Sequence, residues 1–370
     1  MTSAHPQPPW PVEHLLDELW LRSRRLVAER MDAAGLWPAP KVQRKVMRGQ
    51  WMRGEVLERQ ILLPALGAAD FAWVHSDAAF GGRGARLGRS LPYVLAFGYE
   101  LGGTLQTGRG DGGIVGDEWP RLCGLLNVGV TLLDRLVDGS KIGPGVLQSI
   151  VDVRVLAALA SDSGEVARLR LASARSQPDA RVVTRLIVAF FAALHHLAGS
   201  RRHSAEWSAL VSLMVMAYGC ELDSARQTGA SSLNAPGEAD PGQRSSFPFL
   251  IMGALSRLAA VPGAPAPIDE AALRHLAAAV TAIDDLADLA ADYRSGDANG
   301  ILRAAGIGTG GEAPRRLHEL LNSGAIEAAA DSITFSLQAV GRSWDGRRPQ
   351  PDSPWTALQL ICAYMRAWLE

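Results

Sequence analysis

The chain has little of what usually announces a function. Cysteine is scarce: three residues in 370, Cys123, Cys220 and Cys362, far apart and set in apolar runs. That spacing excludes a thiolate metal site or a disulfide framework and reads as buried thiols in a reducing compartment. Charge of neither sign is in excess, with 37 basic against 38 acidic residues, so neither nucleic acid nor an anionic membrane is expected as a partner. The longest apolar runs, Leu186–Leu194 and Leu213–Tyr218, fall well short of the ~18 residues of a transmembrane helix. The opening MTSAHPQPPWPVEH has no basic segment followed by an apolar one, so no secretory leader is expected and a soluble cytoplasmic protein is. No run alternates as a strand does, and no 20–50-residue repeat stands out. The Gly-rich stretch Thr104–Gly116 follows no strand and lacks a GK[ST] ending, which excludes a phosphate-binding P-loop.

What remains is apolar helical periodicity, in a chain whose 48% hydrophobic content suffices for a large core. Residues 1–12 are Pro-rich and read as loose. Val12–Ala34 predicts a first helix, and Trp37 to Asp70 two short ones with Trp51 and Leu57–Leu66 inward. Further helices are predicted over Leu91–Leu101, Arg121–Gly139, Ile142–Ala160, Ser163–Ser176, Ala180–Gly199, Ser204–Ala225 and Ser246–Ala260. The Asp-rich stretch around Thr281–Gly300 is another, and Leu317–Leu321, Ile326–Val340 and Pro354–Trp368 complete the set. Within it, His195 and His196 read as stabilising a helix C-terminus before Gly199. The fold class is therefore all-α: one large helical bundle, with residues 1–75 an N-terminal helical segment of the same domain and 76–370 its core. The tryptophans, six of ten before Pro120, read mostly as core filling.

Two helices carry chemistry. In Thr281–Gly300, Asp284, Asp288 and Asp292 recur at i, i+4 and i+8 with Asp285 beside them, among Ile283, Leu286, Ala287, Leu289 and Ala290. Three carboxylates thus share one row of a mostly apolar helix, and no Lys or Arg lies between Leu276 and Tyr293. Such a row repels itself, and burying it without a partner is costly. A hard divalent ion bound through oxygen, Mg2+ above all, is the natural counter-charge; a solvated acidic face is the plainer alternative. Arg121–Gly139 repeats the pattern with Asp134 and Asp138, Gly139 standing as C-cap. Facing helices of a bundle can hold metals through carboxylates, and a set without histidine suits Mg2+ rather than iron or zinc. A metal cluster with open positions binds a phosphate-bearing ligand, whose charge Arg83, Arg86, Arg89 or Arg244 could complete. The rest of the wall is apolar, so the expected ligand has one polyanionic end and one hydrophobic body.

Over roughly Gly81 to Leu302 the chain resembles the class I isoprenoid synthases of the polyprenyl synthetase type. GGRGAR at Gly81–Arg86 is similar to the family's GGKxxR loop, and LLDRLVDG to its first DDxxD motif, with Arg135 at the second Asp. DDLAD at Asp284–Asp288 matches the second motif fully, and GCELD at Gly219–Asp223 is a faint likeness of GQxxD. The resemblance implies a helical bundle with a central apolar cavity and three Mg2+ ions, Mn2+ substituting, held by Asp134, Asp138, Asp284, Asp285 and Asp288. It also implies an allylic prenyl diphosphate as substrate, held by Arg83, Arg86, Arg89 and Arg244, with a homodimer as a possible assembly. Chain-elongating members have a His where Asn127 stands and a Lys-Thr where Ser245–Ser246 stand, and Thr281 replaces a Gln. Those losses weaken the site of a second diphosphate and favour a terpene synthase. The alternatives are a trans-prenyltransferase, or a non-catalytic partner subunit of which Arg135 is a sign. The Asn-Ser-Glu motif of ordinary cyclases is absent, Asn299 being followed by Arg303 and Ile307.

Overall fold

Sixteen residues, Leu91–Gln106, form a helix (α4) that is buried along its whole length, Glu100, Thr104 and Gln106 included. The computed structural model to which it belongs describes residues 12–76, 90–106, 117–138, 151–161, 163–173, 178–227, 241–259, 270–295, 299–304, 313–348 and 353–370. Before α4 come α1 (Val12–Ala33), α2 (Pro40–Leu57), a π-helical turn (Glu58–Leu62) and α3 (Leu63–Val74). After it follow α5 (Glu118–Asp138), α6 (Val153–Ser161), α7 (Ser163–Ser173), α8 (Pro178–Ala198) with a 3-10 turn (Gly199–His203), and α9 (Ala205–Gln227). The chain closes with α10 (Pro241–Ala259), α11 (Glu270–Ser295), α12 (Gly300–Ala304), α13 (Ala313–Asn322), α14 (Ala325–Ser343) and α15 (Ala357–Leu369). Among the described residues there is no strand, as the sequence predicts.

The tightest pairing is α4 on α5, and glycine makes it possible. A Cβ on Gly98 would lie 2.6 Å from the Asn127 Cβ and 2.7 Å from the Cys123 carbonyl oxygen; one on Gly102 would lie 2.7 Å from the Cys123 Cβ. Asn127 then donates its Nδ2 to the Val94 carbonyl at 2.7 Å, tying the helices further. Gly98→Ala is expected to cost about 1–3 kcal/mol, since a backbone carbonyl cannot give way as a flexible side chain can. Chemical unfolding measures this, and a loss below about 0.5 kcal/mol would show that the two helices tolerate separation.

The first three helices are woven into the rest. α1 packs on α11, α13 and α14, α2 on α4 and α15, and α3 on α8. Inside α3, Gly67 sits at φ 74 and ψ 164, a combination open only to glycine, and breaks the helix there. The Arg185 guanidinium donates to the Leu66 carbonyl at this break. α15 opens on a capping box: the Thr356 hydroxyl accepts from the Gln359 amide at 3.2 Å, and the Gln359 side-chain oxygen accepts from the Thr356 amide at 3.0 Å. Its Tyr364 is wholly buried, with its hydroxyl 3.1 Å from the Tyr93 carbonyl and 3.3 Å from Gln50 Oε1.

Some sequence expectations shift. Trp51 faces outward at 39% exposure, because α2 turns Gln43, Val46, Met47, Gln50, Gly54 and Leu57 inward. Polar Gln43 and Gln50 and a glycine occupy positions that an apolar count does not select. Trp20, Trp37, Trp73 and Trp119 pack half-buried against the core rather than inside it. The helix predicted to end at Leu101 runs on to Gln106, and that predicted from Ile142 is described only from Val153. His195 does more than face a helix end. It is buried, its Nε2 donates to the Leu159 carbonyl at 2.7 Å, and its Nδ1 accepts from Arg202 at 2.9 Å. Neutral imidazole with the proton on Nε2 satisfies both bonds and joins α8 to α6. Cys123 and Cys362 are buried and Cys220 half-buried, with no disulfide among them. Burial pushes the Cys123 and Cys362 thiols up to about 12, so they stay protonated and inert.

Candidate active site

Five helices leave a cavity between them. α5 contributes Leu125, Leu126, Gly129, Val130 and Leu133, and α6 contributes Leu156. Val183, Leu186, Ile187, Phe190 and Phe191 come from α8, Met214, Ala217, Tyr218 and Glu221 from α9, and Phe247, Pro248 and Ile251 from α10. The space open to the centre of a water-sized sphere is about 120 Å³. With 3-10 continuation, α8 is the one described helix long and apolar enough to cross a membrane, yet here it packs on α3, α5 and α7 and walls this cavity. Two polar side chains interrupt the lining. The Tyr218 hydroxyl donates to the Val151 carbonyl at 2.8 Å, and burial raises its pKa. Glu221 is the one carboxylate among the described lining residues.

The first aspartate helix meets this cavity end-on. Leu126, Val130 and Asp134 stand at i, i+4 and i+8 on α5, so an apolar row of cavity wall terminates in an exposed carboxylate. Asp138 is the last residue of the same helix, and its side chain lies outside the described residues. The second aspartate helix is α11. Asp284 is exposed and Asp288 half-buried, one turn apart, while Ile283, Leu286, Ala287 and Leu289 are buried behind them.

Asp285 behaves differently from its neighbours. Its carboxylate accepts from the Gly300 amide at the start of α12, and a Cβ on Gly300 would lie 2.7 Å from its Oδ2. Burial pushes its pKa up to about 6; the Gly300 amide opposes the rise, Asp284 adds to it, and Arg303 and Asp288 pull in opposite directions after that. Beside it Asn299, 3% exposed, acts as a clasp. Its Nδ2 donates to the Asp285 carbonyl at 2.7 Å and to Asp292 Oδ2 at 2.9 Å, and its Oδ1 accepts from the Ile301 and Leu302 amides at 3.0 and 3.2 Å. Asn299 is thus the N-cap of α12 and fastens it to the acidic stretch of α11. Sequence reasoning met Asn299 only as a metal-motif position that fails; an Asn two residues before the apolar pair Ile301–Leu302 is the cap signal that could have found it.

The described lining of this cavity reaches the first aspartate helix and not the second. No α11 residue is among its described lining; α10, which packs on both α5 and α11, forms the wall there. Among the described residues no three His, Cys, Asp or Glu side chains come close enough to hold a metal ion. Arg83, Arg86 and Arg89 lie outside the described residues, and Arg244 is placed only as a first-turn residue of α10. Asp223 likewise has a helical position on α9 and no described side chain. The chemistry of the described donors nevertheless fits a hard divalent cation. Asp284 and Asp288 are reachable from solvent, one turn apart, and offer only oxygen.

Fold and site together define an all-α bundle with an apolar chamber walled by α5, α6 and α8–α10, and with carboxylates at Asp134 on α5 and at Asp284 and Asp288 on α11. Neither a protein-family model nor a curated protein matches the sequence. Among solved structures the chain is similar to the linalool/nerolidol synthase of Streptomyces clavuligerus, at 16% identity over 84% of this chain and 94% of that one, with a TM-score of 0.42.

Proposed function

We propose that the chain is a class I terpene synthase, a Mg2+-dependent lyase that ionises an allylic prenyl diphosphate and closes it to a cyclic terpene. The observation that carries this reading is the α5 row, apolar at Leu126 and Val130 and acidic at Asp134. It suits a ligand with a hydrocarbon body in the chamber and a charged head at its end. When bound, Mg2+ held by Asp134, Asp138, Asp284, Asp285 and Asp288 would supply positive charge to the departing diphosphate. Arg83, Arg86, Arg89 and Arg244 are the basic side chains proposed to share that charge.

The protein's own part is binding, shaping and drying. Leucine, isoleucine and valine from four helices exclude water that would quench a carbocation early. Phe190, Phe191, Tyr218 and Phe247 offer ring faces to a moving positive charge. The Tyr218 proton is committed to the Val151 carbonyl, which keeps the phenol from protonating an intermediate. Asn127 favours cyclisation over chain elongation: its amide is engaged by the Val94 carbonyl and carries no charge for a second diphosphate.

The test is incubation with Mg2+ and allylic diphosphates of increasing length, with and without isopentenyl diphosphate. The expected result is a hydrocarbon or alcohol plus inorganic diphosphate, with isopentenyl diphosphate untouched. A longer prenyl diphosphate would make the chain a trans-prenyltransferase, and no diphosphate release from any substrate would make it a non-catalytic subunit.

A further inference from the structure

Four residues of α9 face the chamber: Met214, Ala217, Tyr218 and Glu221, at i, i+3, i+4 and i+7. This is the spacing of a buried apolar stripe, and its fourth place, where the pattern calls for a leucine, holds a carboxylate. Glu221 is half-buried there, although the same helix has an outer face where Glu206 sits exposed. Among the other described lining side chains the Tyr218 phenol and the Met214 thioether are far weaker bases than a carboxylate, and the remainder are hydrocarbon or glycine. The lining backbone is helical, so its carbonyls are largely engaged within their own helices.

We propose that Glu221 is the base that ends the reaction. Resting on the synthase reading, this assigns a specific step to a residue outside both aspartate motifs. A carbocation formed in the chamber is discharged when a neighbouring C–H gives its proton to the Glu221 carboxylate. The electron pair of that bond becomes the new C=C, the product leaves as a neutral alkene, and the carboxylic acid returns its proton to solvent once the chamber opens. Before that step the same carboxylate attracts the cation electrostatically, so the chamber is complementary to an apolar cation rather than to hydrocarbon alone.

The experiment compares wild type, Glu221→Gln and Glu221→Asp, each checked by circular dichroism and melting temperature. Products are quantified per diphosphate released. Glu221→Gln is expected to lower the ratio of alkene to water-captured alcohol at least about tenfold, with partial return in Glu221→Asp. A second arm needs neither metal nor turnover: a branched long-chain tertiary ammonium salt, titrated calorimetrically, should bind wild type about tenfold or more tighter than Glu221→Gln. The uncharged hydrocarbon of the same shape should bind both alike. If Glu221→Gln does not fold, Glu221→Asp decides alone, and an alkene fraction equal to wild type then overturns the proposal. An unchanged alkene ratio in an active variant, equal ammonium affinity, or a wild-type product that is alcohol alone would each overturn it while leaving the synthase reading intact. Absence of diphosphate release by wild type would instead fell the synthase reading, and this proposal with it.

Discussion

Asp284→Asn is expected to cut diphosphate release by about 10²–10³-fold, the scale of losing one group that stabilises developing charge. Asp284 is exposed on α11, so its loss opens no cavity and helical content should be unchanged. Removing it also relieves like-charge repulsion with Asp288, worth a few tenths of a kcal/mol. Without metal the variant should therefore melt within a few degrees of wild type. With saturating Mg2+ and inorganic diphosphate, wild type should gain melting temperature by preferential binding to the folded state, and the variant should gain much less. Asp285→Asn is the informative contrast. Its carboxylate accepts from the Gly300 amide and lies near Arg303, so that substitution disturbs the seat of α12 as well as any metal. A drop in melting temperature is expected there and not at Asp284. Near-wild-type turnover by Asp284→Asn would mean that the acidic row is a solvated face.

The largest stability effect is expected at Asp70, in a different part of the molecule. Its side chain is 1% exposed and binds two arginines of α8. Arg181 reaches it in a fork, Nε at 3.0 Å and Nη2 at 2.7 Å from Oδ1, and Arg185 Nη1 lies 2.7 Å from Oδ2. Removing one partner of a fully buried pair costs about 3–5 kcal/mol, mostly by stranding the other charge. Arg181 and Arg185 are 24% and 33% exposed, so water recovers part of that loss. Asp70→Ala should cost about 3 kcal/mol in urea unfolding, at the low end of the range. Replacing Asp70, Arg181 and Arg185 together by leucine should recover most of it. A cost below about 1 kcal/mol for Asp70→Ala would show that the α3–α8 contact is held by packing at Leu66 and its neighbours instead.

Much of this protein is local, and local features were legible. The helices of α1, α5, α8, α9, α11 and α14 follow from apolar residues recurring with the helical period, a property of residues within a few turns of one another. The acidic rows at Asp134/Asp138 and Asp284/Asp288 are local in the same sense, because i and i+4 share a face of any helix whatever surrounds it. The GGRGAR loop and its arginines were equally legible as a motif, but they lie outside the described residues.

Which face meets which partner was not legible. Gln50 turns inward because the Tyr364 hydroxyl, 314 residues away, comes to meet it, and Trp51 turns outward as the geometric consequence. Asp285 parts company with Asp284 because Asn299 and Gly300 bring α12 against its side of α11. Asp70 finds its counter-charge 111 residues downstream. Glu221 stands in the sequence only inside GCELD, a faint likeness of a family segment, and the convergence of five helices makes it a wall of the chamber. Periodicity along one helix determined that there would be apolar and acidic faces. Packing between helices far apart in the chain decided where each face points, because a side chain's neighbours across an interface leave no trace in the residues beside it.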